Sequence, residues 1–251
     1  MVARWAHNPK VAGSSPAPAT NKHILIRCAF FMDIIYEDNH IIVANKLPGE
    51  IVQGDKSGDT PMSEMIKKYL KEKYDKPGNV FCGVVHRIDR PVGGLVIFAK
   101  TSKALQRLNK MLREGEIHKT YWALVQGKPE KEENQLKNFL KNDGRLNKTF
   151  IVSANDPEAK EALLDYKTIA NGERYTLLEI NLLTGRKHQI RVQLANMGNP
   201  IKGDLKYGAK RSNPDGGISL LARQIKFVHP VSKVPIELEA PLPEEFKKFL
   251  K

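Results

Sequence analysis

His86-Arg87-Ile88-Asp89-Arg90-Pro91-Val92-Gly93-Gly94-Leu95-Val96-Ile97-Phe98-Ala99-Lys100 is the stretch on which the reading of the fold turns. Leu95 to Ala99 is short, β-branched and aromatic, the pattern of a strand buried on both faces. Pro91, Gly93 and Gly94 before it permit a tight bend and a close backbone approach. Asp89 stands between Arg87 and Arg90, and nearby positive charge favours the ionised carboxylate. An ionised carboxylate is what a carboxylate nucleophile must be. A structural Arg-Asp-Arg ion pair at a strand end accounts equally well for the local pattern.

A second segment carries chemistry. Leu183-Thr184-Gly185-Arg186-Lys187-His188-Gln189-Ile190-Arg191-Val192-Gln193-Leu194 gathers Arg186, Lys187, His188 and Arg191 within six positions. If Ile190 to Ala195 is helical, His188 and Arg191 lie three apart and share a face. Arg186 then sits near the first turn, where backbone N–H groups and the helix dipole suit an anion. Alone, the segment also fits a solvated basic helix face. Two basic clusters punctuated by Gly and Pro point to a phosphate-lined site.

Around these segments the chain reads as alternating strands with few helices. Ile34 to Asn45 has the pattern of a strand-turn-strand. Thr60 precedes Pro61 as a candidate helix cap. Met62, Met65, Ile66, Tyr69 and Leu70 then form an apolar stripe, and Ala104, Leu105, Leu108, Met111 and Leu112 form another. Lys128 to Lys160 is charge-dense and reads as a hairpin with loops. Leu163 to Ala170 and Tyr175 to Leu183 flank the turn signal Asn171-Gly172. Ser219 to Val228 and Ile236 to Ala240 add strands, and Glu244 to Leu250 reads as a closing helix. The expected class is α+β, with a mixed, largely antiparallel central sheet and flanking helices.

Composition narrows the partner. Lys and Arg number 41 against 28 Asp and Glu, a net charge of +13, with a sequence pI near 9.6. Such an excess attracts polyanions, RNA among them, although phosphate contacts do not read sequence. Two cysteines, Cys28 and Cys82, form no disulfide framework and no metal-spacing pair, which fits a reducing cytoplasm. Cys82 and His86 lack a second ligand pair, so no metal is expected. Nucleotide-binding glycine motifs are absent from the sequence, and no cofactor is expected. Ile24 to Ile35 is broken by Arg27 and Asp33 and is too short to span a membrane.

Met1 to Thr20 is rich in Ala, Pro and Ser, without helical or strand periodicity. Gly13-Ser14-Ser15-Pro16 can be encoded by GGT-TCG-AGT-CCN, which contains the GTTCGA core of a tRNA T-arm. We expect residues 1–31 to be a non-native or disordered extension, with Met32 the natural start and 32–251 the working domain.

These motifs carry a family resemblance. His86 to Lys100 resembles the H-R-L-D-R signature and following Gly-Leu strand of RluA-type pseudouridine synthases. Thr184 to Leu194 is similar to their T-G-R-x-H-Q-I-R segment, and Gly203-Asp204 with Tyr207-Gly208 to their G-D-x-x-Y-G. Tyr36-Glu37-Asp38 through Asn45-Lys46 to Pro48-Gly49 resembles their opening strand and N-K-P-x-G turn. Lys119-Thr120-Tyr121-Trp122-Ala123-Leu124-Val125 resembles their K-x-Y-x-A-x-V strand. The matches are ordered and run from Tyr36 towards the C-terminus. Departures fall at Ile88 (usually Leu), Val92-Gly93 (usually a pair such as Thr-Ser), Lys187 (often Ser or Thr) and Gln193 (often His).

The resemblance implies a pseudouridine synthase fold with its cleft across the sheet, and isomerisation of uridine in ribosomal RNA or tRNA. It implies that Asp89 is the catalytic carboxylate, that Tyr121 packs on the target base, and that Arg191 pairs with Asp89. It implies that Arg87 helps hold the flipped nucleotide, since a base in a duplex must leave its stack to be modified. Arg90, Arg186, Lys187 and His188 join Arg87 as expected substrate-binding residues. No S4-type RNA-binding module is expected between Met32 and the core, nor an obligate protein partner, and a monomer is the default. Two competing classes are a silent RNA-binding protein on the same scaffold and a hydrolase using paired carboxylates. Intact Asp89, Tyr121 and Arg191 argue against the first, and the lack of a second acid in a recognisable context argues against the other.

Overall fold

A computed structural model describes residues 32–250; the expectation for residues 1–31 lies outside the described residues. Among the described residues, eleven strands form one sheet: β1 (Asp33–Glu37), β2 (Ile41–Lys46), β3 (Gly83–Val84), β4 (Gly93–Ala99), β5 (His118–Gln126), β6 (Glu133–Asp143), β7 (Lys148–Val152), β8 (Lys160–Asn171), β9 (Tyr175–Leu182), β10 (Leu220–Val228) and β11 (Pro235–Glu239). Its order is β1-β2-β4-β10-β5-β9-β8-β6-β7, with β3 on β4 and β11 on β10. Every pairing is antiparallel except that of β4 with β10. Helices α1 (Met62–Lys73), α2 (Ser102–Arg113), α3 (Gln189–Asn196) and α4 (Glu244–Lys247) complete the α+β architecture expected from the sequence.

β4 is the strand the signature promised. All seven of its residues are buried, and its alternating side chains feed two cores. Leu95, Ile97 and Ala99 pack with Ala104, Leu108 and Met111 of α2. Val96 and Phe98 pack with Met62, Ile66, Tyr69 and Leu70 of α1. The two stripes of helical spacing therefore cover opposite faces of one strand, each full burial contributing about 1.5–3 kcal/mol.

Three local expectations need correction. Thr60 does not cap α1: Pro61 occupies the N-cap, and no side chain caps the end, because the loop carbonyls of Ile51 and Val52 accept the Met62 and Ser63 N–H groups instead. The hairpin after β8 forms, but Asn171 is still in the strand and the loop runs between partners Asn171 and Thr176. Gly172 is not among the glycines of positive φ, so the two-residue mirror-image turn is not used. The closing helix is a single turn, Glu244–Lys247, held by buried Phe246, while Leu250 is exposed.

Among the described residues a single pairing is parallel, and it sets the position of the site. Ala222 of β10 is in register with Gly94 on one side and Tyr121 on the other. The strand that continues the Asp89 loop and the strand carrying Tyr121 thus flank one residue. Gly94 has φ +112, and a Cβ there would lie 2.4–2.8 Å from the Ala222 backbone. Neither backbone can yield without unzipping the centre of the sheet. Gly94→Ala is expected to destabilise the chain by about 3–5 kcal/mol, combining left-handed strain and overpacking. Urea unfolding checks this, with Gly93→Ala as the milder control, since its Cβ would meet nothing closer than 3.4 Å. Equal effects of the two substitutions would contradict the close approach.

Candidate active site

The loop ahead of β4 is fixed from beneath by a buried lysine. Lys46 at the end of β2 is 1 % exposed. Its Nζ donates to the carbonyls of Leu47 at 3.0 Å, Arg90 at 2.9 Å and Val92 at 2.7 Å. Burial pushes its pKa down to about 8, with Glu50 and Asp89 opposing that shift. Three ammonium donors meet three carbonyls, so the loop around Asp89 is clamped to the opening strand pair. The Gly49 N–H also bonds the Arg90 carbonyl, and the Ile218 N–H bonds that of Pro91. His86 works in the same scaffold: its Nε2 accepts the Ile97 N–H at 3.2 Å. Burial, and secondarily the Lys119 charge, push its pKa down to about 3.

Asp89 does not pair with its sequence neighbours. Arg90 is exposed and bonds Asp59 instead, and Arg87 is exposed. The guanidinium that reaches Asp89 is that of Arg191, with Nη1 at 3.0 Å from Oδ2. Arg191 is 5 % exposed and Asp204 1 %. Asp204 takes the other edge of the fork, Oδ2 accepting from Nε at 2.7 Å and Oδ1 from Nη2 at 2.8 Å. Burial works against the arginine's charge, yet Asp204 and then Asp89 outweigh it and raise its pKa above the ordinary value. The bidentate pair takes up the Nε and Nη2 edge of the guanidinium, and Nη1 on the other side reaches Asp89. The Tyr207 ring lies 5.1 Å from the guanidinium carbon.

α3 is shaped to deliver this arginine. His188 sits at its N-cap in the left-handed region, φ 53 and ψ 20, at a cost of about 1–3 kcal/mol. The Gln189 amide locks the approach, its Oε1 accepting from Thr184 Oγ1 and the Arg186 N–H, its Nε2 donating to the Leu163 carbonyl. Gln193, a departure from the family pattern, is 1 % exposed and ties α3 to the sheet through Leu136, Asn138 and Ala162. His188 and Arg191 do share a face: His188 Nε2 lies 3.7 Å from the same Asp89 oxygen.

Tyr121 is buried among Val92, Ile190, Ile218 and Leu220. Burial, reinforced by the Asp89 charge, raises its pKa, so the phenol keeps its proton. Lys119, two residues earlier on β5, has its pKa lowered by burial. Arg186 and Lys187 are exposed; Arg186 Nε bonds the Glu161 carbonyl, and the Lys187 carbonyl accepts from Thr149 Oγ1. The structure therefore brings Asp89, Tyr121, His188 and Arg191 together and leaves Arg87, Arg90, Arg186 and Lys187 on the surface. Sequence reasoning assigned no role to Asp204, Tyr207 or Lys46, although the G-D-x-x-Y-G and N-K-P-x-G motifs contain them. Among the described residues, no three His, Cys, Asp or Glu side chains converge as metal ligands.

Asp204→Asn is expected to destabilise the fold by about 3–5 kcal/mol, since it strips one partner from a buried ion pair. It should also cost turnover by releasing Arg191. Urea denaturation beside an activity assay checks both; a change under about 1 kcal/mol with full activity would contradict the clamp.

The family model for RNA pseudouridylate synthase matches residues 40–196. A ribosomal large subunit pseudouridine synthase C of Buchnera aphidicola is 35% identical over 226 residues, covering 87% of this chain and 69% of that protein. A protein of the same name from Vibrio vulnificus is 34% identical, covering 86% and 67%. Among solved structures, human RNA pseudouridylate synthase domain containing 4 superposes with a TM-score of 0.71 at 22% identity, covering 86% of this chain and 91% of that one. That structure speaks to the fold alone.

Proposed function

We propose that this chain, which belongs to the RNA pseudouridylate synthase family and is an RNA pseudouridine synthase, uses Asp89 as its catalytic carboxylate on uridines of large-subunit ribosomal RNA. The reaction detaches uracil from its ribose at nitrogen and rejoins it through C5, with loss of the C5 hydrogen. The observation that carries the residue assignment is the Arg191 guanidinium bridging Asp89 to buried Asp204. It keeps a carboxylate oriented beside a buried aromatic ring, at a point where the side chain is 26% exposed and a substrate can reach it.

Tyr121 supplies a face for the target base and a protonated hydroxyl near Asp89. Stacking of this sort contributes about 1–3 kcal/mol per base. Exposed Arg87, Arg186 and Lys187 take RNA phosphates, which supply affinity rather than choice of uridine. The large-subunit assignment follows the names of several relatives, ribosomal large subunit pseudouridine synthases of the C and D types. We read residues 32–251 as the catalytic domain, working as a monomer in the cytoplasm. No helix among the described residues is long and apolar enough to cross a membrane.

Tritium release from RNA labelled at uridine C5 tests the reading. Large-subunit ribosomal RNA should lose label with the wild-type chain and only background with Asp89→Asn, while Asp89→Asn still binds the RNA. Release from tRNA but not from ribosomal RNA would overturn the substrate assignment. Turnover near wild type in Asp89→Asn would overturn the role of the carboxylate.

A further inference from the structure

His188 sits between two groups that jointly specify where its proton lies. On one side its Nδ1 is 2.8 Å from the Tyr207 hydroxyl, in a buried contact. The two rings meet edge to face, with centroids 5.7 Å apart and planes at 83°. On the other side Nε2 faces Asp89 Oδ2 at 3.7 Å. The Tyr207 oxygen already accepts the Thr149 N–H at 2.9 Å, and its single proton has two acceptors within reach. These are His188 Nδ1 at 2.8 Å and the Thr149 carbonyl at 3.3 Å.

Donation to the nearer acceptor, Nδ1, leaves the ring proton on Nε2. The far side of the ring makes the same choice, because an N–H beside a carboxylate is attractive and a bare lone pair there is not. Burial, with Arg191, Lys187 and Lys206 nearby, pushes the His188 pKa down to about 4 despite the attraction of Asp89. The ring is therefore neutral at physiological pH, and its tautomer decides what Asp89 meets. Burial raises the Tyr207 pKa, so its hydroxyl proton is retained. The backbone is held for this purpose too. Left-handed His188 is braced by Thr149 Oγ1 donating to the Lys187 carbonyl at 3.0 Å, so Thr149 fixes both the tyrosine and the loop.

We propose that His188 is a positioning residue rather than an RNA ligand: Tyr207 sets its Nε2–H tautomer, and that N–H with Arg191 holds Asp89 Oδ2, leaving Oδ1 as the oxygen presented to the nucleotide. The inference rests on the reading of Asp89 as the catalytic carboxylate. Two groups aimed at one oxygen restrict rotation of the carboxylate, which a single arginine would leave free. At 3.7 Å the His188–Asp89 contact is longer than a hydrogen bond, and in substrate-free active sites such contacts are often long and shorten once substrate is bound. The G-D-x-x-Y-G segment then has a divided task, with Asp204 setting the arginine and Tyr207 the histidine.

Nitrogen-15 NMR of the full chain labelled at histidine reads the tautomer directly, with the His188 signals assigned by their loss in His188→Phe or His188→Gln. The wild type at pH 7 is expected to show Nε2 protonated and Nδ1 bare, and Tyr207→Phe a mixture of tautomers. In the activity assay, Tyr207→Phe and His188→Phe should lower kcat by about tenfold, the scale of one lost buried hydrogen bond, with KM for RNA little changed. His188→Gln, which keeps an N–H near the Nε2 position, should recover most of that loss. An Nδ1–H tautomer in the wild type would overturn the proposal even if the phenylalanine variants fail to fold. So would a loss confined to KM, or equal loss in Gln and Phe. Full turnover in Asp89→Asn would instead remove the reading of Asp89 and leave the tautomer result standing.

Discussion

The fork of Arg191 between Asp89 and Asp204 is the contact on which the site depends. Three charged groups lie together, two of them almost wholly out of water and the third, Asp89, reachable from solvent. Isolated, any one would be expensive to bury. Together they leave a net negative charge, and the shared cation keeps both carboxylates in place. Lysine could not do this, because a point charge lacks the planar spread that lets one side chain grip Asp204 through two nitrogens and Asp89 through a third. The arrangement joins residues 89, 191 and 204, so it exists only when the fold is complete.

The rest of the structure can be understood as support for that fork. Lys46 holds the Asp89 loop against β2, and Gly94 lets β4 lie flat against β10, which brings Tyr121 to the other side of Ala222. The left-handed turn at His188 starts α3 at the angle that carries Arg191 inward. Gln189 and Gln193 then fasten that helix to the sheet. Arg87, Arg90, Arg186 and Lys187 stay exposed outside this buried centre, a division that fits the proposed reading of a surface for RNA phosphates and buried ion pairs for orientation.

Much of this was legible beforehand, and for identifiable reasons. β4 and the helices α1 and α2 announce themselves because burial on two faces or one stripe leaves a local periodic record. His188 and Arg191 meet at Asp89 as their three-residue spacing suggests, but His188 stands at the left-handed N-cap rather than inside the helix, a turn that the spacing does not announce. The partner of Asp89 was not readable locally: Arg87 and Arg90 adjoin it in sequence, but the loop turns both outward to solvent, and the cation that reaches it is 102 residues away. Thr60 missed its cap because backbone carbonyls from another loop met those N–H groups first. Asp204 and Tyr207 carry no local mark of their role, since their work is done on side chains from a different element. The motif that contains them signals importance without saying what they touch.

The most direct measurement is steady-state turnover and RNA affinity of Arg191→Lys. A lysine preserves the charge but cannot hold both carboxylates, so kcat should fall by about a hundredfold or more, while Kd for RNA stays within about threefold. Turnover near wild type would mean that charge alone suffices, and that the fork between Asp89 and Asp204 is not what orients the catalytic carboxylate.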